Sequence, residues 1–148
     1  MSKADVGYAD TSFLFSLYGN DVNSPQARSI GNTLEAPLAF TPLHRHELRN
    51  AFRLAVFRRV MTTELCRVVL AELESDIKIG ALVGTPVAWA EVYAGAEALS
   101  AAHTATLGTR GFDVLHVAAA VALGAKDFHT FDIRQKALAV KAGMAVTP

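Results

Sequence analysis

The sequence has no excess of charge of either sign. Fourteen Lys and Arg residues are balanced by fourteen Asp and Glu residues, so the formal net charge is zero. Proteins dedicated to nucleic-acid binding usually carry a basic excess that attracts the phosphate backbone. Any contact with nucleic acid therefore has to come from a local patch of charge.

Cysteine, long apolar runs and a leader pattern are also scarce or missing. Cys66 is the only cysteine in 148 residues, so the chain forms no internal disulfide, and we expect Cys66 to be a small buried hydrophobe. No apolar run reaches the ~18 residues of a membrane span, and the opening MSKADVGYAD lacks the basic-then-apolar order of a signal peptide. We expect a cytoplasmic protein without membrane contact.

What the sequence does contain is apolar residues in short runs between helical patterns. Hydrophobic residues make up 51% of the chain and charged residues 19%, which predicts a single domain, 1–148, with a well-filled core. The predicted strands are 5–9, 37–41, 126–131 and 144–147. The predicted helices are 11–19, 25–35, 42–59, 64–78, 86–107, 111–125 and 132–142. Strands that alternate with long helices predict an α/β domain with a short, mostly parallel sheet.

Two aspartates stand where predicted strands end. Asp10 follows the first strand and Asp132 follows the strand in KDFHTF. The carboxyl ends of parallel strands meet at one edge of the sheet, where ligands bind in such folds. Each aspartate also precedes a helix, so the alternative interpretation is that each is simply an N-cap.

Two further acids lie on predicted helices. At about 100° per residue, Glu47 falls on the same face as Leu43, Ala51 and Leu54, which predicts a carboxylate that points inward; the alternative is a surface glutamate paired with a nearby arginine. Asp113 opens the apolar helix GFDVLHVAAAVALGA, where the helix dipole alone would also favour an acid.

A cluster of acids at one edge would need a counter-ion. Two carboxylates 4 Å apart repel by about 4 kcal/mol at an effective dielectric constant of ~20. Oxygen ligands without a matching Cys or His set favour Mg²⁺ or Mn²⁺ over zinc. Magnesium held by few carboxylates usually bridges to substrate phosphates, so the pattern predicts chemistry on phosphodiesters.

Three stretches resemble the PIN-domain ribonucleases, and among them the VapC-type toxins of toxin-antitoxin pairs. They are YADTSFLFSLY, TPLHRHELRNAF and RGFDVLHVAAAVALGAKDFHTFDIRQKALAVKAGM. The resemblance implies a three-layer α/β/α PIN-like fold, metal-dependent endoribonuclease activity, a homodimer and an antitoxin partner. It places the four catalytic, metal-binding acids at Asp10, Glu47, Asp113 and Asp132.

Supporting roles are predicted for three polar residues. The resemblance assigns substrate or ligand orientation to Ser12, beside the first aspartate, and to Asn50, after the glutamate. Thr130, two residues before Asp132, is a candidate for a similar part.

Other functions and other sites stay open at this point. The same fold can serve as a non-catalytic RNA-binding or scaffolding module, and an aspartate nucleophile in ADTS would instead suit a phosphotransferase. His44 and His46 have the spacing of a zinc pair on a strand, but on a helix they point apart. His116 is either a core histidine or a neighbour of Asp113.

Overall fold

The computed structural model describes residues 5–148, which cluster into two compact units. Of the described residues, the first unit contains 5–10 together with Pro86–Pro148, and the second contains Thr11–Thr85. The prediction of a single domain over 1–148 stays a prediction. In the described part of the chain, no helix has the length and apolar character needed to cross a membrane.

The elements alternate along the chain as the sequence predicts. In chain order they are β1 (Tyr8–Ala9), α1 (Thr11–Tyr18), α2 (Ser24–Thr33), β2 (Leu38–Phe40), α3 (Pro42–Phe57), α4 (Thr63–Ile79), β3 (Leu82–Gly84), α5 (Trp89–Leu99), a π-helical turn (Ser100–Thr104), α6 (Ala105–Leu107), α7 (Gly111–Leu123), β4 (Asp127–His129), α8 (Ile133–Lys141) and β5 (Ala145–Thr147).

The first unit is built on three parallel strands in the order β1, β4, β5. Tyr8 pairs with Phe128, and Phe128 pairs with Val146. The residues of α7 from Val114 to Ala120 are all buried, which confirms the prediction of a helix enclosed by the core. Because β1 and β4 are neighbours and run in the same direction, the residues that follow them lie at the same edge of the sheet.

The second unit contains the parallel pair β2 and β3, with Leu38 opposite Leu82 and Phe40 opposite Gly84. The short strand β3 was absent from the prediction. It has only three residues, ends at Gly84 and lies in a stretch that has the pattern of a connection between helices. Pairing with β2 makes this segment a strand, and its own three residues do not distinguish it from a loop.

Two helix starts with Thr-Pro behave differently. Before α3, the hydroxyl of Thr41 accepts a hydrogen bond from the His44 backbone N–H, and the His44 side chain accepts one from the Thr41 backbone N–H. This reciprocal cap confirms the predicted start at Pro42. Before α5, the hydroxyl of Thr85 donates to the Val83 carbonyl instead of capping, and the helix begins at Trp89 rather than at residue 86.

The inward face of α3 differs from the predicted one. The buried positions are His44, Leu48, Phe52 and Ala55, whereas Leu54, which was placed on the inward face, is 37% exposed. The predicted face was therefore wrong by about one residue. Glu47 lies beside the buried stripe and is half-buried.

Candidate active site

Asp10 is a buried carboxylate at the edge of the three-stranded sheet. It extends the pairing of β1 with β4 by donating its backbone N–H to the His129 carbonyl oxygen at 3.0 Å. Its side chain is held by Thr130, whose hydroxyl donates to Asp10 Oδ2 at 2.7 Å. Only 3% of Asp10 is exposed, so this carboxylate depends on protein groups to stabilise its charge.

Thr130 also connects Asp10 to Asp132. The same hydroxyl oxygen accepts a hydrogen bond from the Asp132 backbone N–H at 2.9 Å, so it is a donor on one side and an acceptor on the other. The backbone N–H of Thr130 donates to the Thr147 carbonyl at 3.1 Å, which fixes this residue to β5. Thr130 therefore has a contact of the kind predicted for a supporting residue, while its role in a reaction stays a prediction.

Asp132 is the N-cap of α8, as its alternative interpretation required. Its Oδ1 accepts a hydrogen bond from the Gln135 backbone N–H at 2.9 Å. The other carboxylate oxygen, Oδ2, faces Arg110, whose Nη2 lies 3.7 Å from it. Capping and a functional role are thus compatible, since each uses a different oxygen of the carboxylate.

Arg110 contacts two of the predicted acids. Its Nε lies 3.1 Å from Asp113 Oδ2, and its Nη2 lies 3.7 Å from Asp132 Oδ2. The arginine side chain is 75% exposed, whereas those of Asp113 and Asp132 are 17% and 27% exposed. One guanidinium therefore places positive charge against both carboxylates at the solvent-facing side of the edge.

Gln135 is a residue of this network that was missing from the sequence prediction. Its side-chain Nε2 donates to the Asp113 carbonyl oxygen at 3.2 Å, and its backbone N–H holds Asp132. The side chain is buried, and its Oε1 has no hydrogen-bond partner within residues 5–148. The signal that could have found it is the spacing Asp-x-x-Gln at the start of a helix, which is typical of a capping box.

Glu47 lies in the second unit, where its Oε1 accepts a short hydrogen bond from the Thr11 hydroxyl. Thr11, the residue before the predicted Ser12, thus supplies a hydroxyl that contacts this acid. Ser12 and Asn50 are both exposed. The assignment of Glu47, Ser12 and Asn50 to an active site stays a prediction.

The histidines do not form a metal pair. His44 is buried in the cap of α3 and His46 is exposed, so the two point apart as the helical geometry predicts. Nδ1 of His116 lies 2.7 Å from the Tyr8 hydroxyl in the core of the first unit, which confirms the interpretation of His116 as a core histidine.

The chemistry of the acids suits a hard divalent cation, although a ready-made cage is not present. Asp10, Asp113 and Asp132 offer only carboxylate oxygens, the ligands that Mg²⁺ and Mn²⁺ prefer. In the described residues, no group of three or more His, Cys, Asp or Glu side chains is close enough together to hold a metal ion. Asp113 and Asp132 satisfy their charge with Arg110, so an ion would require these side chains to rearrange.

The parallel strands and the flanking helices form an α/β fold, and the two solved structures that resemble it identify the fold as PIN-like. The predicted fold class is therefore confirmed. No protein-family model and no curated protein sequence matches the chain, so the fold is recognised through solved structures.

Two solved structures illustrate the likeness. VapC20 of Mycobacterium tuberculosis, a toxin that cleaves the sarcin-ricin loop, superposes with a TM-score of 0.65 at 16% sequence identity, over 88% of this chain and 92% of that chain. FitAcB from Neisseria gonorrhoeae superposes with a TM-score of 0.64 at 17% identity, over 95% of this chain and 96% of that chain. At such identities the likeness establishes the fold, and function has to be argued from the residues.

Proposed function

We propose that the chain is an endoribonuclease that hydrolyses RNA phosphodiester bonds with the help of Mg²⁺ or Mn²⁺. The observation that carries this proposal is the connected network at the sheet edge, in which Thr130 joins Asp10 to Asp132 and Arg110 joins Asp132 to Asp113. Two of these carboxylates follow neighbouring parallel strands and the third lies in the first turn of α7, an arrangement that suits phosphodiester chemistry better than a structural role. The likeness to a toxin that cleaves the sarcin-ricin loop supports the same substrate class.

Asp10, Asp113 and Asp132 are the residues that would hold the ion. When bound, a divalent cation makes a water a stronger nucleophile and stabilises charge on the phosphate and the leaving oxygen. Thr130 keeps the Asp10 carboxylate in one orientation by donating its hydroxyl proton to Oδ2. The Gln135 N–H does the same for Asp132. Hydrolysis would leave a 5′-phosphate on one RNA fragment. The resemblance adds Glu47 to the set as a fourth acid.

The proposal is tested by RNA cleavage with Asp10→Asn, which keeps the size of the side chain and removes its charge. We expect cleavage in Mg²⁺ by the purified wild-type chain, none in EDTA, and a loss of at least about 10²-fold in Asp10→Asn, because the metal-dependent water depends on the carboxylates. Asp127→Asn is the matched control, since Asp127 is exposed at the opposite end of β4. Undiminished cleavage by Asp10→Asn would exclude this assignment.

We further propose that the nuclease is the cytoplasmic toxin of a toxin-antitoxin pair and that it forms a homodimer. Large apolar side chains of the second unit are exposed, among them Phe57 (82%), Val60 (77%) and Val68 (53%). Contiguous exposed apolar surface marks regions that a protein partner covers, so these residues are our candidates for such a contact. Light scattering of the purified chain tests the dimer, and co-purification with the product of a neighbouring gene tests the antitoxin.

The second candidate is a non-catalytic PIN-fold module that binds RNA or acts as a scaffold. It is favoured by one observation, because Asp113 and Asp132 are already paired with Arg110. RNA binding that persists in EDTA, without cleavage in Mg²⁺ or Mn²⁺, would support this candidate over the nuclease.

A further inference from the structure

Arg110 occupies an unusual position at the start of α7. It is the N-cap residue, with an extended backbone (φ −87°, ψ 161°), and its side chain makes no capping hydrogen bond. A cation near the N-terminus of a helix opposes the helix dipole, which favours negative charge there. Neither capping nor the helix dipole of α7 therefore gives a reason for an arginine at this position.

The reason lies in the acids that Arg110 faces. Asp113 is one turn further along α7, and Asp132 comes from the segment between β4 and α8. The guanidinium uses two different nitrogen atoms, Nε for Asp113 and Nη2 for Asp132. It thus neutralises two carboxylates that come from separate elements and would otherwise repel each other.

The two ion pairs of Arg110 are weak enough to be replaced. The Arg110 side chain is 75% exposed, and the Nη2 contact with Asp132 at 3.7 Å is longer than a hydrogen bond. Exposed ion pairs of this type contribute little and are screened by salt. A pocket of about 450 Å³ beside Asp132, lined by Arg110, Phe131, Ile133 and Arg134, gives the side chain room to move.

We propose that Arg110 is the resident counter-cation of Asp113 and Asp132, and that a divalent cation binds these acids by displacing it. Arg110 is then a positioning residue: it keeps two acids close together while no metal is bound and gives them up on binding. This inference rests on the proposed metal-dependent function. It adds that Arg110, a residue of the same chain, competes with the metal ion for Asp113 and Asp132.

The test is a titration of the full chain with Mn²⁺ at low ionic strength, followed by electron paramagnetic resonance of free Mn²⁺. Three proteins are compared: wild type, Arg110→Gln and Arg134→Gln. Arg134 is exposed, lines the same pocket and has no ion pair with any described residue. Both variants lose one positive charge, so their difference isolates direct contact with the acids. Circular dichroism checks that each variant is folded.

We expect Arg110→Gln to bind Mn²⁺ about three- to tenfold more tightly than Arg134→Gln, as two weak competing ion pairs would allow. A second readout is the NMR signal of the Arg110 Nε–H group, which should shift in metal-free Asp113→Asn and on addition of Mg²⁺ to the wild type. Equal or weaker Mn²⁺ affinity in Arg110→Gln would overturn the proposal for Arg110 alone. Absence of Mn²⁺ binding in all three proteins would overturn it together with the proposed metal dependence.

Discussion

Thr130 offers the most direct structural test of the acid network, because one hydroxyl group makes two of its hydrogen bonds. We predict that Thr130→Val, which replaces the hydroxyl by a methyl group of similar size, destabilises the chain strongly. The variant loses the bond to Asp10 Oδ2 at 2.7 Å and the bond from the Asp132 N–H at 2.9 Å. Thr130 is 1% exposed and Asp10 3%, so water cannot easily replace the first bond.

The magnitude follows from these two bonds. A hydrogen bond to a charged group contributes about 1.5–3 kcal/mol, and one between neutral groups contributes about 0.5–1.5 kcal/mol. Because Asp132 is only half-buried, water partly compensates for the second bond. We therefore expect a decrease of about 2–4 kcal/mol in the free energy of unfolding.

Urea denaturation followed by circular dichroism measures this difference, and Thr130→Ser is the control. Serine keeps the hydroxyl and loses only a methyl group, so it should retain most of the stability that valine loses. The network would be refuted if Thr130→Val were as stable as Thr130→Ser. Such a result would mean that the hydroxyl does not support the buried carboxylate.

Two further predictions concern other parts of the chain. Burial lowers the pKa of His129, so the unfolded chain takes up a proton more readily than the folded chain. The free energy of unfolding should therefore decrease as the pH drops through about 6.5. Urea titrations between pH 8 and 5 measure this decrease, which should be smaller in His129→Asn. Thr41→Ala removes the hydroxyl that accepts the His44 N–H at the start of α3 and should cost about 1 kcal/mol; thermal unfolding measures this, and Thr33→Ala, at the exposed end of α2, should change little.

The sequence alone predicts the position of Asp10 and Asp132 well. Each follows an apolar run that is short enough to be a strand and precedes a helical pattern, so connectivity places both at strand ends. Parallel pairing of β1 with β4 then brings them to one edge. Local signals also locate the start of α3 at Thr41-Pro42 and the left-handed glycine, Gly108, that ends the Ala-rich segment.

Features that depend on contacts distant in sequence are less accessible. The strand β3 is too short to be distinguished from a loop without β2 beside it. The inward face of α3 differs from the predicted face, because His44 and Leu48 face the core instead of Leu43 and Leu54. Arg110 is just one of many arginines in the sequence, and its contact with Asp132 exists only because α7 and α8 pack together.

The central claim is that separate acids act as one site on RNA. It is tested most directly by comparing the cleavage rates of Asp10→Asn, Asp113→Asn and the double variant with that of the wild type in Mg²⁺. Residues that act as a unit are strongly non-additive, so each single variant should lose nearly all the activity and the double variant no more. Full activity in either single variant, or losses that multiply in the double variant, would contradict the account.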